Sequence, residues 1–144
     1  MICYRVVRRK YADLRGDGAR LYGGRFNPPG VPAVYTSQSI ALALLEVLVH
    51  IDKTEVPRDY VVMAIQLAGR QVYRLRSASP EIRQLTSDRF KDSQYYRPIL
   101  RVQSVIVPRE YNYVLFPKAN GFEAATVWIE DLNFDSRLFA SMQP

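Results

Sequence analysis

Apolar positions along this chain gather in short runs separated by turn residues, and the spacing of those runs predicts the elements. Ile2–Val7 reads as a β-strand and is followed by the basic patch Arg8, Arg9, Lys10. Residues 11–24 are rich in Asp and Gly and predict an irregular, turn-rich segment. Asn27, Pro28, Pro29 and Gly30 predict a tight turn, because proline fixes φ and glycine accepts a positive one. Val31–Thr36 then predicts a strand, with Pro32 near its start, where a missing amide donor costs least. Ser37 and Ser39 are both candidates to cap the next element, a helix over Gln38–Ile51. That helix is apolar almost all round, which predicts burial in the middle of the fold.

Beyond a polar connection at Asp52–Asp59, the pattern predicts strands over Tyr60–Leu67 and Gln71–Leu75, separated by a turn at Gly69. Ser79, Pro80 and Glu81 form a helix start with proline at the first position, and a polar helix is expected to run to about Lys91. The last third returns to β-prone runs at Ile99–Val107, Asn112–Phe116 and Ala125–Glu130, punctuated by Pro108 and by Asn120 and Gly121. Strands and helices alternate irregularly, so the expected class is α+β, with a mainly antiparallel or split sheet and one buried helix. No repeat or linker interrupts the 144 residues, and one domain spanning 1–144 is expected.

Composition narrows the setting. No apolar run approaches the about 18 residues of a membrane span, and the N-terminus lacks the long apolar core of a secretory signal. A lone Cys3 allows no intrachain disulfide, so a cytoplasmic protein is expected. The net charge of +6 fits a nucleic-acid surface, an acidic protein partner or a polyanionic small substrate, and charge alone does not choose.

Glu46 is the least expected residue, because an unpaired carboxylate in an apolar helix costs several kcal/mol, roughly. It therefore calls for a partner. An architectural ion pair and a functional acid both satisfy that demand. His50 lies one turn later, and a single histidine near a helix end more often serves structure. Arg25 follows two glycines, a context that lets the backbone approach a ligand, and its planar fork suits phosphate or carboxylate. Tyr35, at the end of a strand, can pack in the core, stack on a flat ligand or donate its hydroxyl. Walker and dinucleotide-fold glycine patterns are absent, and one Cys with one His makes an ordinary zinc site implausible.

The stretch GARLYGGRFNPPGVPAVYTSQSIALALLEVLVH, followed by RVQSVIVPREYNYVLFP, resembles the RES domain, named for its Arg, Glu and Ser. Arg25, Glu46 and Ser104 fall on those three positions and Tyr35 on the tyrosine of the YTS-type motif. Phe26 stands where tryptophan is common, and Phe116–Ala119 replaces an Asn-Pro-x-His type segment.

The resemblance implies a bacterial type II toxin with an ADP-ribosyltransferase-like fold, in which a split, mixed or antiparallel sheet surrounds a central helix. It implies that NAD+ is a substrate whose nicotinamide–ribose bond is cleaved by water or phosphate, with inorganic phosphate as a possible co-substrate and no resident cofactor or metal. Attachment of ADP-ribose to a protein is the alternative in the same class. A basic nucleic-acid-binding or RNA-cleaving toxin is the alternative from another class, motivated by Arg5, Arg8, Arg9 and Lys10 interleaved with Tyr4 and Tyr11. Implied partners are an Xre-type antitoxin and further copies of the chain within the toxin–antitoxin complex, with DNA reached only through the antitoxin and no membrane. Nicotinamide leaves as a neutral molecule, so one carboxylate suffices to stabilise the oxocarbenium-like ribose. Glu46 is assigned that role, Arg25 the phosphates, Tyr35 the nicotinamide end, Ser104 a hydroxyl contact, and Asn27 joins the substrate-binding set.

Overall fold

A computed structural model describes residues 1–68, 72–75 and 80–139. Seven strands form one sheet: β1 (Ile2–Arg8), β2 (Val34–Ser37), β3 (Tyr60–Leu67), β4 (Val72–Leu75), β5 (Ile99–Gln103), β6 (Tyr111–Leu115) and β7 (Ala124–Leu132). Their order is β4-β5-β6-β2-β1-β3-β7, and every neighbouring pair is antiparallel except β4 and β5. The α+β class and the mixed sheet are as expected. The predicted Gly69 turn, Gln71 and Ser79 lie outside the described residues.

The sheet is hydrogen-bonded throughout, yet it has a seam. β1 and β2 are registered through one pair, Tyr4 opposite Ser37, whereas β1 and β3 match from Ile2–Gln66 to Arg8–Tyr60. This divides a four-stranded wing (β4, β5, β6, β2) from a three-stranded wing (β1, β3, β7). Residues directly opposite one another share a face, so Tyr35, Val114 and Leu100 face one way together with Ser37 and Asn112. On that face each wing has its own apolar cluster. Phe26, Val31, Ile82, Phe90, Leu100, Val114 and Phe116 cover the four-stranded wing. Val6, Val62, Ala43, Leu48, Phe134 and Phe139 cover the other. The reverse face carries one cluster that runs across the seam, with Cys3, Met63 and Ile65 from one wing and Val34, Ile99 and Leu115 from the other. The core is thus continuous behind and divided in front, where α2 packs against both β1 and β2.

Four short helices border the sheet: α1 (Asp17–Tyr22), α2 (Ile40–Leu48), α3 (Pro80–Gln84) and α4 (Ser87–Lys91). α1 forms inside the segment expected to be irregular. Its N-cap, Gly16, has φ +71°, and a Cβ there would lie 2.6 Å from the amide nitrogen of Ala33, so glycine is required for the helix to start so close to that strand. The single helix expected up to Lys91 is two, because the Thr86 hydroxyl accepts from the Arg89 amide and starts a second. α2 is capped by Ser39, whose hydroxyl accepts from Leu42 at 3.1 Å.

α2 differs from the expectation of a helix buried all round. Leu42, Ala43 and Leu48 are buried, while Ile40, Leu45 and Val49 are 40%, 38% and 53% exposed. The sheet covers one side of a helix, and among the described residues nothing covers the other side. The strand expected over Ile99–Val107 stops at Gln103 because the Ser104 hydroxyl captures the amides of Ile106 and Val107 and turns the chain.

Cys3 is fully buried in the reverse-face cluster, and burial pushes its thiol up to about 11 from an ordinary value of 9.0. A folded-state value above the unfolded one means that the folded state holds its proton longer. The associated stability is complete below pH 9 and is lost as the pH rises towards about 11, a loss on the order of 2–3 kcal/mol. Urea unfolding at several pH values from 8 to about 11 is expected to show this decline, with a shallower one for Cys3→Ala. Equal slopes for the two proteins would exclude the thiol as its source.

Candidate active site

α2 carries Glu46 to the end of the four-stranded wing. Glu46 Oε1 accepts from the Ser104 hydroxyl at 2.9 Å and from Asn112 Nδ2 at 2.7 Å. The Ser37 hydroxyl donates to Asn112 Oδ1 at 2.6 Å, which fixes the amide so that its nitrogen faces the carboxylate. Ser104 is 1% exposed, and while it donates to Glu46 it accepts from the amides of Ile106 and Val107 at 3.1 and 3.0 Å. The carboxylate on α2 is thus held by residues that follow β5 and begin β6. Both donors converge on Oε1, and Oε2 accepts no hydrogen bond among the described residues.

The predicted arginine lies on a loop of its own. Gly24 and Asn27 form an isolated bridge, with Gly24 N donating to Asn27 O at 2.9 Å, and Arg25 sits at the turn between them. Arg25 is exposed, makes no ion pair among the described residues, and lies over the ring of Phe26 at 5.8 Å. Tyr35 ties this loop to the sheet: its hydroxyl accepts from the Phe26 amide at 3.0 Å and donates to Asn27 Oδ1 at 2.6 Å. Burial raises its pKa, so the phenol stays a neutral donor. Gly24 is required by the closeness of the two, since a Cβ there would stand 2.5 Å from the Tyr35 hydroxyl and 2.8 Å from Asn27 Oδ1.

Asn27 is 1% exposed, and every polar atom of its side chain is engaged within the chain. Its Nδ2 donates to the carbonyls of Ala19, Val31 and Pro28 at 2.9, 3.0 and 3.3 Å, and its Oδ1 receives Tyr35. These bonds shape the Arg25 loop.

β2 joins the two halves of the site. Tyr35 and Ser37 are two positions apart on the same face, roughly 6–7 Å along the strand. The first holds the arginine loop and the second orients the amide that holds Glu46. The structure thus joins Glu46 directly to Ser104, and Arg25 to the same face through Tyr35. It leaves His50 exposed at the end of α2. Asn112 and Ser37 escaped sequence reasoning. Their signal was present as a polar residue at the start of an apolar run, which a search for the partner of Glu46 would have reached. Among the described residues no group of His, Cys, Asp and Glu side chains could hold a metal ion.

The family profile described as the RES domain matches residues 2–136. "Toxin Res" of Photorhabdus laumondii is 36% identical over 153 residues, covering 96% of this chain and 97% of that one. "Prs ADP-ribosylating toxin" of a Sphingobium species is 31% identical over 137 residues, covering 83% of this chain and 84% of that one. MbcT of Mycobacterium tuberculosis, named as an NAD(+) phosphorylase, is 44% identical over 46 residues, or 31% of this chain and 25% of its own. The solved M. tuberculosis MbcT–MbcA toxin–antitoxin complex superposes with a TM-score of 0.65 at 19% identity, covering 98% of this chain and 87% of that one. The two chains share a fold.

Tyr35→Phe is expected to destabilise the protein by about 1–3 kcal/mol, because it leaves the Phe26 amide and Asn27 Oδ1 without their partner. Urea denaturation measures the loss, and an unchanged midpoint would show that the loop does not depend on this hydroxyl.

Proposed function

The chain belongs to the RES-domain family, as a toxin of a toxin–antitoxin system, and from that premise we propose that it cleaves the nicotinamide–ribose bond of NAD+. The observation that carries this reading is the carboxylate of Glu46, fixed through Oε1 by Ser104 and Asn112. In this reading Oε2, which accepts no hydrogen bond among the described residues, faces the substrate cleft and meets a ribose hydroxyl and the positive charge that develops on the ring.

In this mechanism the C1′–N bond breaks and its electron pair goes to the nicotinamide nitrogen, which becomes neutral. No proton is needed by the leaving group. The oxygen of water or of phosphate then bonds to C1′; water gives up a proton in the step and yields ADP-ribose, and phosphate yields the 1-phosphate. Glu46 stabilises the oxocarbenium-like state by a fixed charge that costs no reorganisation. Arg25, exposed and without a carboxylate partner among the described residues, binds the pyrophosphate through its fork. Tyr35 presents its ring to the nicotinamide end while its hydroxyl holds the loop, and Ser104 and Asn112 set the direction of the carboxylate. NAD+ enters as substrate, and no step requires a resident cofactor.

The Sphingobium relative supports a second reading, in which a protein side chain replaces water as acceptor and the same residues act. The MbcT–MbcA complex supports an antitoxin as partner. We take that partner to be of the Xre type, with further toxin copies in the assembly. No helix among the described residues is long and apolar enough to cross a membrane.

Purified protein incubated with NAD+, with and without phosphate, is expected to release nicotinamide. A phosphorylated ribose product identifies phosphate as acceptor, and labelled protein identifies transfer. Glu46→Gln is expected to lower turnover on the order of a hundredfold to a thousandfold with the fold intact. A folded, fully active Glu46→Gln protein would sink the reading. Asn112→Ala, which removes one donor to the carboxylate, is expected to lower kcat by about ten- to a hundredfold with little change in KM. A change in KM alone would mean that Asn112 serves binding rather than positioning.

A further inference from the structure

A second cleft opens at the other end of β5. Pro98 directly precedes that strand and Ser104 directly follows it, so the two places are roughly 20 Å apart at about 3.3 Å per residue. Tyr73 on the outermost strand, Lys91 at the end of α4, and Tyr96, Arg97, Pro98 and Asn120 line a cavity of about 640 Å³. That volume falls within the roughly 300–1,000 Å³ of small-molecule sites.

Its chemistry is one-sided. Lys91 and Arg97 are exposed, neither makes an ion pair among the described residues, and no carboxylate is among the described lining residues. Arg97 is already ordered: its Nε donates to the Gln94 carbonyl at 3.0 Å and its guanidinium lies over the Tyr73 ring at 5.5 Å. This arrangement commits Nε and one face of the guanidinium, so the Nη donors are available to an acceptor. The Tyr96 ring is fixed by edge contacts to Phe90 and Phe116, each at 5.7 Å, and burial raises its pKa, which keeps the hydroxyl a neutral donor.

A guanidinium fork beside a lysine point charge is the arrangement that recognises a phosphate monoester. An immobilised guanidinium plane and a fixed tyrosine ring give a flat heterocycle surfaces on which to stack, and the Asn120 amide offers both a donor and an acceptor to its edge. We propose that this cleft binds a nucleoside monophosphate, at a site separate from that of Glu46. The assignment does not depend on the NAD+ reading, because Arg25 and Glu46 take no part in it.

Calorimetric titration of the full chain with AMP, adenosine and inorganic phosphate tests this. AMP is expected to bind, with adenosine and phosphate each at least about tenfold weaker. Lys91→Ala and Arg97→Ala, made separately, are each expected to weaken AMP by about tenfold while the thermal melt and nicotinamide release stay as in the parent. Glu46→Gln and Arg25→Ala are expected to keep the AMP affinity. The proposal is overturned if AMP does not bind at millimolar concentration, if both cation variants bind it as well as the parent, if phosphate alone binds as tightly, or if Arg25→Ala abolishes binding and so places AMP in the other cleft. Because binding and nicotinamide release are separate readouts, a protein that binds AMP here and cleaves no NAD+ would count against the proposed catalysis only.

Discussion

The site depends on supplying one carboxylate, carried on a half-buried apolar helix, with hydrogen-bond donors from the protein. Water solvates an exposed carboxylate for nothing, and a half-buried one needs donors from the protein. Glu46 obtains them from a serine hydroxyl and an asparagine amide rather than from a cation. The choice matters chemically. A guanidinium at that place would neutralise the charge that is to face a developing cation, whereas neutral donors orient the carboxylate and leave its charge in place. The chain carries 20 Lys and Arg residues, so the neutral shell is not for want of basic side chains.

That shell lies where the sheet is nearly divided and α2 packs on both β1 and β2. One registered pair at Tyr4 and Ser37 suffices to keep the wings in one sheet, because the cluster behind the seam is continuous. The same strand, β2, then serves both halves of the site, through Tyr35 to the arginine loop and through Ser37 to Asn112.

The elements that the sequence made legible are those whose signals are local. Tyr60–Leu67 matches its predicted span because period and boundaries both lie in its own residues, and the Ser39 cap was readable from one hydroxyl ahead of an apolar run. Glu46 was legible as an anomaly, and the resemblance to a known family paired it with Ser104. What failed was decided by tertiary partners. The exposed side of α2 at Ile40, Leu45 and Val49 carries the same residue types as its buried side, so composition could not tell one from the other. The early end of β5 came from a serine capturing two amides ahead of it, and Asn112 acquired its role from a helix 66 positions away. The tight turn expected at Asn27–Gly30 forms one residue later, with Val31 N donating to Pro28 O at 3.3 Å. What that reading missed was that Asn27 would be consumed within the loop it begins.

The sequence distance between Glu46 and its donors has a consequence for how the protein comes into being. The helix with the carboxylate and the loop with the arginine are synthesised before either donor. Ser104 and Asn112 follow 58 and 66 residues later, and β6, which seats Asn112 beside β2, is complete only at Leu115. A nascent chain, or one cut short by premature termination, carries the acid without the groups that aim it. For a chain whose finished form is a toxin, the site is completed only once β6 has been made, so before that point the cell producing it meets an acid that nothing aims.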